Sequence, residues 1–158
     1  MSFDTVIRNG TVVTPAGIVR ADLGITGETI AAVAPELTVK PSTRVIDAAG
    51  RLVIPGGIDP HVHLQMPAGA VTSSDDWHTG TVAAACGGTT TVNDFVEPEG
   101  ALLLDTLATR RAEAEGQAVI DFGLHMTLMD ARPETLAQVP TVVAAGSSSF
   151  KTYLTYDG

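Results

Sequence analysis

One cysteine, Cys86, occurs in 158 residues. No intrachain disulfide can form, and a reducing, cytoplasmic setting is the expectation. The preceding Ala83-Ala84-Ala85 predicts a small buried side chain on a helix, not a nucleophile. Basic residues are also scarce, with 9 Lys and Arg against 18 Asp and Glu, for a formal net charge of -9. Nucleic acid would favour a basic surface, so no nucleic-acid partner is expected. No apolar run approaches the roughly 18–20 residues of a membrane span. The opening Met1-Ser2-Phe3-Asp4 carries neither the basic region nor the apolar stretch of a signal peptide. No membrane partner is expected either.

What is present is apolar. Hydrophobic residues make up 44% and charged residues only 17%, enough to build a core and too little charge for a disordered polyelectrolyte. The length fits one ordinary domain or a piece of a larger one.

Residues 1–51 read as short strands and turns, with no helical period. Thr5-Val6-Ile7-Arg8 is β-prone, Asn9-Gly10 predicts a hairpin turn, and Thr11-Val12-Val13-Thr14 returns. From residue 52 to 158, apolar strands alternate with helical patterns, which predicts βα units on a parallel sheet. Strands are expected at Leu52 to Ile58, Thr89 to Phe95, Ala118 to Met126 and Ser148 to Leu154. The first helix should be capped by Ser74 and stop at Gly87-Gly88. A second fits Leu102 to Glu115, and a third fits Pro133 to Ala145 with an interruption at Pro140. Strand starts about 30 residues apart fit a (β/α)8 barrel of about 250 residues. Four units cannot close such a barrel.

The chemistry starts at Gly56-Gly57-Ile58-Asp59-Pro60-His61-Val62-His63. In extended backbone, residues two apart point to the same side, so His61 and His63 can face one metal ion. Imidazole suits zinc and its first-row neighbours. Asp59 is a candidate to support the loop or orient a histidine. Lys151, inside Ser149-Phe150-Lys151-Thr152-Tyr153, lies in an apolar, β-prone stretch. Composition alone reads it as a strand-end lysine with its charge in solvent. On strand four of a barrel it would share a face with the histidines, because strand C-terminal ends converge there.

Residues 46–63, with Leu64-Gln65-Met66-Pro67, Ser74-Asp75-Asp76 and Gly87-Gly88-Thr89-Thr90 beyond, resemble the dihydropyrimidinase and hydantoinase branch of the amidohydrolase superfamily. The resemblance runs from about residue 5 to the end. It implies a TIM-type (β/α)8 barrel, of which residues 52–158 are the first four βα units, preceded by part of a small β-sandwich in residues 1–51. It implies hydrolytic ring opening of cyclic ureides, hydantoins or dihydropyrimidines, by a metal-bridging hydroxide. Two divalent ions are implied, Zn2+ first, with Mn2+, Co2+ or Fe2+ as alternatives. His61, His63 and Lys151 are the implied ligands, Lys151 as N6-carboxylysine bridging both ions. Tyr156 matches the family's substrate-binding tyrosine, which donates to the carbonyl or its oxyanion.

Gln65 stands where dihydroorotase-like members carry an arginine for a substrate carboxylate, so a carboxylated ring is disfavoured. Met66 is a candidate pocket residue, and Pro67, Val71 and Trp77 would add apolar surface near the site. His78 and His125 match no ligand, and Asn93 and Asp94 are given no chemistry. Family members are commonly tetramers, so a homo-oligomer is expected. The family's catalytic aspartate lies outside these residues, so 1–158 alone should be inert. Two other readings remain: a non-catalytic binding or scaffolding relative, and another cyclic amidohydrolase such as allantoinase.

Overall fold

The structure is a computed structural model that describes residues 2–68, 70–98, 100 and 102–154. It divides into two compact units, Met1–Pro55 and Gly56–Gly158.

The first unit is a five-stranded sheet. Strand β1 (Thr5–Thr14) pairs antiparallel with β2 (Gly17–Thr26), which pairs antiparallel with β3 (Thr29–Ala34). On the other edge of β1 run β4 (Arg44–Asp47) and β5 (Leu52–Val53), both parallel to it. Phe3, Val6 and Leu37 form one small apolar cluster, and Val12, Ala21 and Leu23 another. Asn9-Gly10 is not a hairpin turn: β1 runs straight through it, and the register to β2 slips between Ile7 and Gly10. Asn9 adopts φ 62°, the left-handed region that asparagine tolerates, and makes a β-bulge of the pair. Its amide donates to the buried carboxylate of Asp22 at 3.2 Å. The bulge uses the same residue chemistry that a type I′ turn would, which is why the dipeptide misleads.

Leu52 to Ile58 is likewise not one buried strand. Leu52 and Val53 complete the first sheet, and Leu52 and Ile54 are exposed. The strand of the second unit is β6 (Gly57–Val62), so His61 lies within a strand and not in the loop after it. A short hairpin of β7 (Pro67–Ala68) and β8 (Val71–Thr72) follows. Then come α1 (Trp77–Cys86), β9 (Thr89–Val96), α2 (Leu103–Ala114), β10 (Asp121–Leu128), α3 (Pro133–Leu136), α4 (Val139–Ala144) and β11 (Phe150–Thr152). Sheet order is β11-β10-β9-β6, parallel throughout, so each strand lies beside its predecessor in the chain. The helical stretch from Pro133 breaks before Pro140, as a missing N–H and ring clash require.

Asp76, not Ser74, caps α1. Its carboxylate accepts from the Thr79 amide at 2.7 Å, and the Thr79 hydroxyl accepts from the Asp76 amide at 3.1 Å, a reciprocal capping box. At the other end of the helix Cys86 is exposed, not buried. Alternate residues of β9 divide between two faces. Val92 and Val96 join Leu107, Leu124, Met126 and Val142 in the main core, on the face covered by helices. Phe95 points to the opposite face.

Candidate metal centre

The uncovered face carries the chemistry. His61 and His63 project from the end of β6 to the same side, and their Nε2 atoms stand 3.2 Å apart. Two imidazoles at ordinary Zn–N distances on one tetrahedral ion would place their nitrogens about 3.3 Å apart. The spacing therefore matches a shared ion. Phe95 of β9 lies against both rings, with centroids at 4.5 and 5.0 Å. Lys151 of β11 sets its ammonium 4.2 Å from the same phenyl ring, a cation–π contact, and 4.8 Å from the Tyr153 ring. Its side chain is 19% exposed and lies 3.9 Å from the Glu97 carboxylate. The Tyr153 hydroxyl also donates to Glu97. The lysine is thus turned inward over the aromatic floor, which the composition-based reading of a solvated charge does not describe.

His63 is held below the ordinary imidazole value, first by burial and then by the positive charges of Lys151 and His61. A neutral ring keeps the lone pair that a metal needs. His63 Nδ1 is buried with no partner. Among the described residues no three His, Cys, Asp or Glu side chains come together closely enough to hold an ion. The histidine pair supplies two ligands, and Lys151 is a further polar group over the same ring. The donor set fits a first-row divalent ion as one side of a larger centre.

Met66 lines a cleft of about 640 Å³ together with Gln65, Phe95, Glu97, Arg110 and Glu113. The cleft and the histidine pair share Phe95. Val71 is exposed, but Trp77 is not near-site surface: it is fully buried, 5.4 Å from Phe122 and under the Arg110 guanidinium. Tyr156 lies outside the described residues. Asp59 accepts from the His61 amide at 3.1 Å and so fixes backbone, not a ring. His78 is an exposed helix residue, its Nδ1 3.3 Å from the Gln117 carbonyl.

Three side chains prove more involved than their sequence positions indicate. The Pro60 carbonyl can only accept, so His125 Nε2, 3.1 Å away, carries the proton. His125 Nδ1 then accepts from the Ser149 hydroxyl. Asp94, fully buried, faces the helices; it binds the Leu64 amide at 2.9 Å and Arg110 of α2 at 2.6 Å. Burial pushes its carboxyl up, and the Leu64 amide and Arg110 oppose that push. The alternation Val92-x-Asp94-x-Val96 was the available signal: a carboxylate on a buried strand face needs a partner.

A profile of the amidohydrolase family matches residues 44–105. A D-hydantoinase of Streptomyces coelicolor is 42% identical over 163 residues, covering 100% of this chain and 35% of that one. Over its whole length the chain matches the N-terminal part of the hydantoinase and dihydropyrimidinase branch of the amidohydrolases. Dihydropyrimidinase 1 of Caenorhabditis elegans is also 42% identical, over 99% of this chain and 33% of its own length. The solved dihydropyrimidinase of Brevibacillus agri superposes with a TM-score of 0.91 at 43% identity, covering 98% of this chain and 34% of that one. The chain therefore spans about a third of the length of the relatives it matches. Its parallel sheet with helices on one face is part of the branch's TIM barrel, and residues before it are part of the small β-domain.

Proposed function

We propose that this chain carries one side of the two-metal centre of a cyclic amidohydrolase that opens hydantoins or dihydropyrimidines by hydrolysis. The observation that carries the reading is the convergence of the His61 and His63 Nε2 atoms at 3.2 Å, with Lys151 over the same phenyl ring. The branch membership supplies the substrate class, a cyclic ureide.

Divalent ions, Zn2+ first, would supply Lewis acidity toward a ring carbonyl and lower the pKa of water. His61 and His63 would hold one ion as neutral imidazoles. Lys151 would lose its ammonium proton, its amine nitrogen would bond to the carbon of carbon dioxide as one C=O bond opens to a carboxylate oxygen, and a second N–H proton would leave to solvent. The resulting carbamate is an anionic oxygen ligand able to reach two ions. Phe95 and Tyr153 pack against that lysine and hold its nitrogen over the histidine pair's aromatic floor. Tyr156 would donate to the carbonyl oxygen of the ring, where negative charge develops. Met66 and the cleft beside Phe95 would contact the ring's substituent. Gln65 offers no cation, so rings without a carboxylate are the better substrates.

The test is an assay of the full-length protein, loaded with Zn2+, against hydantoin, dihydrouracil, dihydroorotate and allantoin. Ring opening of hydantoin or dihydrouracil, lost in His61→Ala, is the expected result. Preference for dihydroorotate or allantoin, or no turnover in a folded metal-loaded protein, would contradict the reading.

A further inference from the structure

The backbone that bears the two histidines is poorly held by its own sheet. In the ladder between β6 and β9 the register slips between Asp59 and Val62, across Pro60 and His61. Pro60 has no N–H to give. The strand ends at Val62, before His63. An isolated chelate on such a segment would have freedom to splay.

Side chains stand in for the missing ladder at its far end. The amide of Leu64, next to His63, donates to Asp94 Oδ1 at 2.9 Å, and the Leu64 carbonyl accepts from the Arg110 guanidinium. Arg110 also binds Asp94 Oδ2 through Nε at 2.8 Å and through its terminal nitrogen at 2.6 Å. A third nitrogen reaches Glu113 at 2.7 Å, and the planar group lies 4.9 Å from the Trp77 ring centroid. The Leu64 side chain is locked as well: it packs so closely on Gly80 of α1 that a Cβ there would meet it at 2.4 Å. Asp94 is fully buried, and the Arg110 side chain is 12% exposed. A buried ion pair of this kind is weak evidence for stability, because desolvation offsets the attraction. Its geometry needs another reason.

We propose that Asp94 and Arg110 are positioning residues for the metal chelate: they fix the peptide after His63 and so set the separation and aim of the two imidazoles. The inference rests on the reading of His61 and His63 as metal ligands. Arg110 suits the role because its rigid planar fork offers two nitrogens to Asp94 while one of them also reaches the Leu64 carbonyl, a fixed geometry that a single ammonium does not provide. Groups that orient metal ligands typically change affinity 10–100-fold when altered.

The experiment is a Zn2+ titration against a chromophoric chelator, with the Co2+ absorption spectrum as a second readout, on full-length wild type, Asp94→Asn, Arg110→Lys and Arg111→Lys. Circular dichroism and melting of the metal-free proteins, and assays well below the melting temperature, separate folding from binding. Asp94→Asn and Arg110→Lys should stay folded, bind Zn2+ 10–100-fold more weakly and show a shifted Co2+ spectrum. Arg111→Lys, which alters a bond to the Ala145 carbonyl, should match wild type. Folded variants with Zn2+ affinity within about twofold of wild type would overturn this inference alone. Loss of the fold in both variants would overturn it too, by making the pair a folding scaffold. A wild-type protein that takes up no metal would overturn both this inference and the metal reading beneath it.

Discussion

Phe95 is the residue on which the site's polar groups converge. Its ring touches His61, His63 and His125 and lies under Lys151. On the strands around it, one side chain fills the space that a glycine leaves. A Cβ on Gly123 would stand 1.9 Å from the Asn93 amide oxygen. Asn93 and Gly123 are register partners on β9 and β10, so the asparagine side chain occupies the space above the glycine. Gly123→Ala should therefore destabilise the protein by about 1–3 kcal/mol, the usual cost of overpacking. Shortening the neighbour with Asn93→Ser should return much of that loss, as chemical denaturation of the single and double variants would show. Additive losses would contradict the contact.

At the scale of elements, α1 offers a pH-dependent test. The Thr79 amide, then its hydroxyl, hold the Asp76 carboxyl below its ordinary value. A carboxyl depressed in the folded state contributes stability that is present above its unfolded value of 3.8. That contribution is lost as pH falls through the folded value. Asp76→Ala should thus melt lower than wild type at pH 7, and the gap should narrow below pH 3.8. A gap independent of pH would remove the carboxylate from the account of the cap.

The order of strands and helices in the second unit was legible, because period and breakers agree there: Gly116 follows α2, and Pro140 splits the third helix. Asn9-Gly10 misled because a bulge and a turn ask the same of the backbone. Leu52 and Ile54 misled because an apolar run does not say which sheet it joins. That His61 and His63 turn to one side could be read from their spacing, being local. The contacts of Asp94, Arg110 and His125 could not, because they reach 16 to 65 residues along the chain.

For the whole molecule, we propose that this chain contributes a histidine pair and a carboxylated lysine to a two-metal hydrolase. The parallel sheet has β6 and β11 at its edges among the described residues, so four strands supply only part of a closed barrel. Among the described residues no helix is long and apolar enough to cross a membrane. Metal content together with intact mass under gentle ionisation, on the full-length protein and its Lys151→Ala variant, tests this proposal. Two metal ions per chain and a mass increment of one carbon dioxide, absent in Lys151→Ala, are the predicted result. A folded wild-type protein with no metal and no increment would contradict the claim and turn the reading toward a non-catalytic relative.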